Sequence, residues 1–274
     1  GTSLNPEEFK KLLEEDKRKE IKAVILTHSE TSTGVINDLK TISSYIREHK
    51  IALSIIDCVT SLGACNVPVD EWELDVVASG SQKGYMIPPG LSFIAMSQKA
   101  WEAVEKSNLP KFYLNLKSYR KSLLSNSNPY TPAVNLVFAL NEALKMMKEE
   151  GLDDIFFRHQ KHKLAITNAV KALNLKLFAD EKYLSPSITA IETGEIDAEE
   201  FRKTIKNKFD ILLAGGQDHL KGKIFRVGHL GYVNDRDIIT VVSAISNTLI
   251  ELGKISATQA GEALVEASKY LEKN

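Results

Sequence analysis

The sequence predicts an α/β fold: a mainly parallel sheet with flanking helices, followed by a smaller α+β unit. Three observations carry this. Short apolar runs rich in β-branched residues recur at 23–28, 51–57, 74–78 and 91–96, as expected of parallel strands buried on both faces. Between the first two runs Leu39, Ile42 and Ile46 form one helical stripe, giving the order strand, helix, strand. Beyond about residue 132 the texture changes, and long amphipathic helices alternate with shorter strands.

The elements follow in order. Asn5-Pro6-Glu7-Glu8 is a helix start, with Asn as N-cap, Pro at the first helical position and acids in the first turn. Phe9, Leu12 and Leu13 continue it at helical spacing, and residues 5–20 read as one charged amphipathic helix. A strand at 23–28, a helix at 38–50 and strands at 51–57, 74–78 and 91–96 come next. Val134, Val137, Leu140 and Leu144 mark a helix over 133–148, and a longer one spans 152–173. Strands at 187–191, 211–213 and 223–227 then alternate with helices at 198–206 and 235–251, and a last amphipathic helix covers 258–271 as a packing element. The change of texture places a domain boundary near Gly151, giving units of 1–150 and 151–274. The sequence shows no repeats and no low-complexity tract.

Composition narrows the function classes. The chain has 274 residues, 43% hydrophobic and 26% charged, an ordinary globular balance. Lys plus Arg number 35 against 36 for Asp plus Glu, so the broad field that drives nucleic-acid or membrane-surface binding is missing. A small-molecule or protein partner is expected instead. Cys58 and Cys65 are too few for a disulfide framework or a four-thiolate metal site and fit a reducing compartment. No apolar run approaches the roughly 20 residues of a spanning helix. The expectation is a cytoplasmic protein.

Four segments place polar groups at the ends of apolar strands, where open α/β sheets bind ligands. Residues 28–35, His-Ser-Glu-Thr-Ser-Thr-Gly-Val, carry hydroxyl and acidic groups after the first strand, readable as a site or as turn chemistry. Asp57 ends the second strand, and a carboxylate there is costly to bury unless it meets a cation or caps the next turn. Lys83 lies between small residues and the stiff Pro88-Pro89-Gly90 stretch, and a partly desolvated amine there can attack a carbonyl to form a Schiff base. Asp57 and Lys83 are 26 residues apart, about one crossover plus a strand, so both can sit along one sheet edge. Arg226 lies inside an apolar run and needs either an ordinary ion pair or a ligand carboxylate or phosphate to fork onto.

Taken together, Thr27-His28, Glu30, Ser32-Thr33-Gly34-Val35, then Asp57, Val59, Ser61-Leu62-Gly63, then Ser79-Gly80-Ser81-Gln82-Lys83 with Pro88-Pro89-Gly90, then Tyr130-Thr131-Pro132, and finally Phe225-Arg226-Val227-Gly228-His229, carry a resemblance. The sequence resembles the class V, pyridoxal-phosphate-dependent alanine–glyoxylate and serine–pyruvate aminotransferases. It also resembles the cyanobacterial proteins once labelled a soluble hydrogenase small subunit. The similarity spans essentially the whole chain. It implies an aspartate-aminotransferase-like large domain, cofactor-binding over 1–150, and transamination of alanine or serine with glyoxylate or pyruvate.

Residue by residue, the resemblance makes Lys83 the Schiff-base lysine and Asp57 the acid on the pyridine nitrogen. Val59 packs on the ring and Thr31 lies beside the ring oxygen. Ser81 and Gln82 help to hold the phosphate and cofactor, and Arg226 grips the substrate carboxylate. Thr131, with Asn128, reaches the phosphate of the neighbouring subunit, which implies a homodimer; the family often has an aromatic residue where Asn128 stands. Full-length members begin with a segment absent here, which supplies a phosphate-holding turn and a ring-stacking aromatic. The chain starts at Gly1, and nothing before Ala23 could do either job. The expectation is therefore a trimmed or internal start with an incomplete cofactor half-site: a piece of an active parent, or a weakly active or non-catalytic subunit. A cysteine desulfurase is disfavoured, because it needs a thiol on a late mobile loop and both cysteines precede residue 66.

Overall fold

The structure, a computed structural model, describes residues 1–272. Helix α1 (Pro6–Glu15) starts as its sequence dictates, with the Asn5 side chain accepting from the Glu7 N–H at 3.1 Å. It ends earlier than the expected residue 20. The Asp16 carboxylate accepts from the backbone N–H groups of Glu20 and Ile21 at 2.9 and 2.8 Å and turns the chain towards the sheet.

Strand β1 (Ala23–Thr27) is followed by the small hairpin β2 (Ser29–Glu30) and β3 (Val35–Ile36), helix α2 (Leu39–His49), and strands β4 (Leu53–Asp57), β5 (Val76–Gly80) and β6 (Ser92–Met96). The first sheet has the order β1-β4-β5-β6, parallel except for β6. The α/β class is thus as expected. Its register sets Thr27 against Asp57 and Asp57 against Ala78, so the carboxyl ends of the three parallel strands lie level.

One face of this sheet is packed. Leu26, Ile56 and Val77 bury against Leu13 of α1 and against Leu39, Ile42 and Ile46 of α2. The expectation of strands buried on both faces is corrected here. Ile25 is 75% exposed and Ile94 49% exposed, because α1 and α2 both lie on the opposite face. Side chains alternate along a strand, so covering one face leaves every second residue open.

Helices α3 (Gln98–Lys106), α4 (Leu116–Leu124), α5 (Val134–Glu150) and α6 (Leu152–Ala172) follow. The second sheet contains β7 (Lys176–Leu177), β8 (Ile188–Glu192), β9 (Ala214–Gly215) and β10 (Ile224–Gly228) in the antiparallel order β7-β8-β10-β9. Helices α6, α7 (Ala198–Phe209), α8 (Asp235–Glu251) and α9 (Ala257–Leu271) enclose a core around Ile191, Phe201, Phe225 and Ile245. The strand expected at 211–213 is displaced to Ala214–Gly215. Asp210 adopts a left-handed backbone that ends α7, and the Leu213 carbonyl accepts from Arg202 Nε at 2.8 Å rather than from a neighbouring strand. Among the described residues no helix is long and apolar enough to cross a membrane.

The β2–β3 hairpin joins the two sheets. The Ser29 and Ser185 hydroxyls lie 2.8 Å apart, and the Ser185 N–H donates to the Gly34 carbonyl at 2.9 Å. Gly34, at φ +73°, passes so close to β8 that a Cβ would meet the Ala190 nitrogen at 3.1 Å. The segment linking the sheets is therefore also the segment that carries Thr31.

Candidate functional site

Lys83 sits on the loop that leaves β5. That loop is closed by Ser81, whose buried hydroxyl donates to the Pro88 carbonyl at 2.8 Å and accepts from the Leu91 N–H at 3.1 Å. Ser81 thus spends its hydroxyl on shaping the lysine loop. Gly84 packs directly on the turn after β4: a Cβ there would lie 2.1 Å from the Leu62 carbonyl oxygen. Only glycine fits at that approach. The lysine loop and the Asp57–Gly63 turn are consequently one packed unit.

Lys83 lines a cavity of about 210 Å³ together with Thr31 and Gln82. These come from two places in the chain: the β2–β3 hairpin, and two consecutive positions after β5. Sequence reasoning gave no role to Thr60, Ser187 or Leu230, which complete much of the wall. Thr60 accepts from the Thr31 hydroxyl at 3.3 Å and donates to the Ser29 carbonyl at 2.8 Å, so it fixes the hairpin over the cavity. Its signal was faint: one more threonine in a turn.

Asp57 ends β4 in an exposed position, its Oδ1 accepting from the Val59 N–H at 2.8 Å. It lies level with the β5 end from which the lysine loop departs, yet it does not line the Lys83 cavity. Val59 is half-buried beside it. The two ends are tied together, since the Cys58 N–H donates to the Ala78 carbonyl and the His28 N–H to the Asp57 carbonyl, both at 2.9 Å.

Arg226 is buried in the middle of β10. Its Nε donates to the Gly215 carbonyl at 2.8 Å and its Nη1 to the Thr31 carbonyl at 2.7 Å. Neither partner is an anion, and among the described residues no carboxylate lies within ion-pair distance. Burial and the neighbouring Arg202 pull its pKa below the usual guanidinium value, while Glu30 opposes them. A buried guanidinium remains charged and favours an anionic partner. Through the Thr31 carbonyl it bears directly on the wall that faces Lys83.

Asn128 and Thr131 are exposed on the stretch between α4 and α5 and do not line the cavity. They stand among exposed apolar side chains, with Phe112, Leu124 and Phe138 each at least 72% exposed. The structure therefore gathers Thr31, Gln82 and Lys83 in one cavity. Asp57, Val59, Asn128 and Thr131 do not line it, and Arg226 is tied to it through the Thr31 carbonyl.

Comparison with known proteins shows the family. The family model described as aminotransferase class-V matches residues 2–220. A soluble hydrogenase small subunit from Synechococcus is 56% identical, over 99% of this chain and 70% of that protein. A serine–glyoxylate aminotransferase from Methylorubrum extorquens is 35% identical, over 100% of this chain and 70% of its own. The crystal structure of ureidoglycine–glyoxylate aminotransferase from Bacillus subtilis superposes with a TM-score of 0.89 at 32% identity, covering 98% of this chain and 70% of that one. The chain thus spans about 70% of the length of each.

Proposed function

The chain belongs to the class-V aminotransferase family, and from that premise we propose that it transfers the amino group of a small amino acid, alanine or serine, to glyoxylate or pyruvate, using pyridoxal 5′-phosphate held by Lys83. The observation that carries this reading is the convergence of Lys83, Gln82 and Thr31 on one small cavity whose wall is tied to a buried arginine lacking a carboxylate partner. An amine, hydroxyl and amide donors, a nearby exposed carboxylate and a guanidinium without a carboxylate partner among the described residues form the donor set that a phosphorylated pyridine aldehyde and an amino acid require.

When bound, the cofactor supplies an electron sink for the bond broken at the α-carbon. The chain's own residues hold and orient. Lys83 Nζ would anchor the cofactor and, when free, carry a proton to and from the α-carbon. Asp57 would hold a proton on the ring nitrogen. Thr31 and Val59 would flank the ring, and Gln82 with the loop shaped by Ser81 would help to hold the phosphate end. Arg226 Nη2, which makes no hydrogen bond among the described residues, is the group assigned to the substrate carboxylate, fixing the reacting bond. Leu230 and Ile188 in the wall restrict the amino acid to a small side chain.

On this reading residues 1–150 form the cofactor-binding unit and 151–274 the smaller one. The exposed apolar stretch around Phe112, Leu124 and Phe138, with Asn128 and Thr131 among them, is assigned to a homodimer in which those two residues serve the partner's site. Two free thiols, Cys58 and Cys65, fit a cytoplasmic setting.

The test is direct. Adding pyridoxal phosphate should produce a visible absorbance band that borohydride discharges, with the label mapping to the Lys83 peptide; Lys83→Ala should give neither. Label elsewhere, or no amino transfer from alanine or serine, would overturn the reading. A second reading, a weakly active or non-catalytic subunit that keeps the fold, is favoured by the name of the Synechococcus relative and by the uncovered face of the first sheet. It predicts no label on Lys83 and no turnover.

A further inference from the structure

Two consecutive residues of α6, Arg158 and His159, grip one glycine of the β10–α8 loop from both sides. The Gly231 N–H donates to His159 Nε2 at 3.1 Å, and the Gly231 carbonyl accepts from Arg158 Nη1 at 2.7 Å. The same Nη1 reaches the Val233 carbonyl at 3.1 Å. The grip is itself anchored. Arg158 pairs in a fork with Glu150 at the end of α5, Nε to Oε1 at 2.6 Å and Nη2 to Oε2 at 3.0 Å. His159 Nδ1 lies 2.7 Å from the Ile155 carbonyl, so it carries the hydrogen and leaves the Nε2 lone pair for Gly231. Full burial holds this imidazole neutral, with its pKa pushed down to about 4.

The loop gripped in this way walls the Lys83 cavity, to which it contributes Leu230, next to Gly228 at the end of β10. Gly231 itself, at φ +89°, is so close to the lysine loop that a Cβ would meet Met86 Cγ at 3.2 Å and the Lys83 carbonyl oxygen at 3.6 Å. Capping α8 would not by itself require this approach to the lysine loop. That role belongs to Asn234, whose side chain accepts from Arg236 and Asp237.

We propose that Arg158 and His159 are positioning residues for Lys83: by holding both polar groups of Gly231 they press the β10–α8 loop onto the lysine loop and fix the width of the cavity between them. The functional part of this inference rests on the reading above; the mechanical part does not. His159→Leu keeps bulk but leaves the buried Gly231 N–H without an acceptor. His159→Gln can present an amide oxygen where Nε2 stood.

The experiment is hydrogen exchange on the cofactor-free chain, followed by titration with pyridoxal phosphate. His159→Leu should speed exchange about tenfold or more in peptides covering 228–234 and also in those covering 83–87, with exchange in the first sheet unaffected. His159→Gln should restore both segments. Affinity for pyridoxal phosphate should fall in His159→Leu and recover in His159→Gln. Should His159→Leu fail to fold, Arg158→Lys, which loses the fork but keeps charge, must show the same paired acceleration. Wild-type exchange at 83–87 beside fast exchange at 228–234 would overturn the proposal, as would failure of glutamine to rescue. If wild type takes up no cofactor while the exchange pattern is as described, the positioning stands and the aminotransferase reading falls.

Discussion

Arg226 shows how one side chain links a strand, a hairpin and a candidate ligand. Its Nε and Nη1 are spent on the carbonyls of Gly215 and Thr31, so its planar fork is oriented before anything binds. Lysine, a point charge on a flexible stem, cannot reproduce that planar, pre-set fork. Arg226→Lys is therefore expected to raise the KM for the amino acid at least about tenfold while changing kcat less, measured by steady-state kinetics with alanine and serine. An unchanged KM would remove Arg226 from the substrate site. The residue type and its apolar setting were legible from the sequence. Its attachment to Thr31, 195 positions away, was not, because no local pattern encodes which carbonyl a guanidinium meets.

Among the elements, α6 carries more than its amphipathic pattern suggests. Its buried face includes His159, held at a pKa of about 4 by desolvation, and β1 leads into His28, likewise pushed down to about 4 by burial against the opposing pull of Asp38. Both lie below the ordinary 6.5, so the unfolded chain binds these protons first as pH falls. Stability is full above about pH 6.5 and is lost as pH drops towards 4. Each histidine contributes roughly 2 kcal/mol to that loss at about pH 5. His159→Gln, which cannot titrate there, should show a smaller drop in urea midpoint between about pH 7 and about pH 5 than wild type. Equal drops would mean that His159 is protonated in the fold. Helix periodicity marked α6 well, since its length repeats the signal many times. The displaced β9 was misplaced because two residues of pairing leave almost no period to read, and Arg202 had already claimed the Leu213 carbonyl.

For the molecule as a whole, the largest departure from expectation is apolar surface left in water. Ile25 and Ile94 lie exposed on one sheet face, and Phe112, Leu124 and Phe138 on another part of the surface. Apolar side chains of this size gain roughly 1.5–3 kcal/mol each on full burial, so a cluster of them favours association. Sedimentation should find a dimer at micromolar concentration, and Leu124→Glu with Phe138→Glu should shift it to monomer while leaving the far-ultraviolet spectrum unchanged. A monomeric wild type would remove the homodimer from the proposed function.

What the amino-acid order determined by itself was local and repetitive: the helical stripes, the β-branched runs, the Asn5 cap, and the polar clusters at strand ends that hold Thr31, Asp57 and Lys83. These arise from periods of two and 3.6 residues and from the backbone preferences of single residue types. Only the tertiary structure decided which clusters share a cavity, which face of the first sheet is covered, and that Gly231 passes close to the lysine loop. Those outcomes depend on contacts between residues far apart in the chain, selected by shape and by the pairing of buried polar groups, and neither is written in any short stretch of sequence.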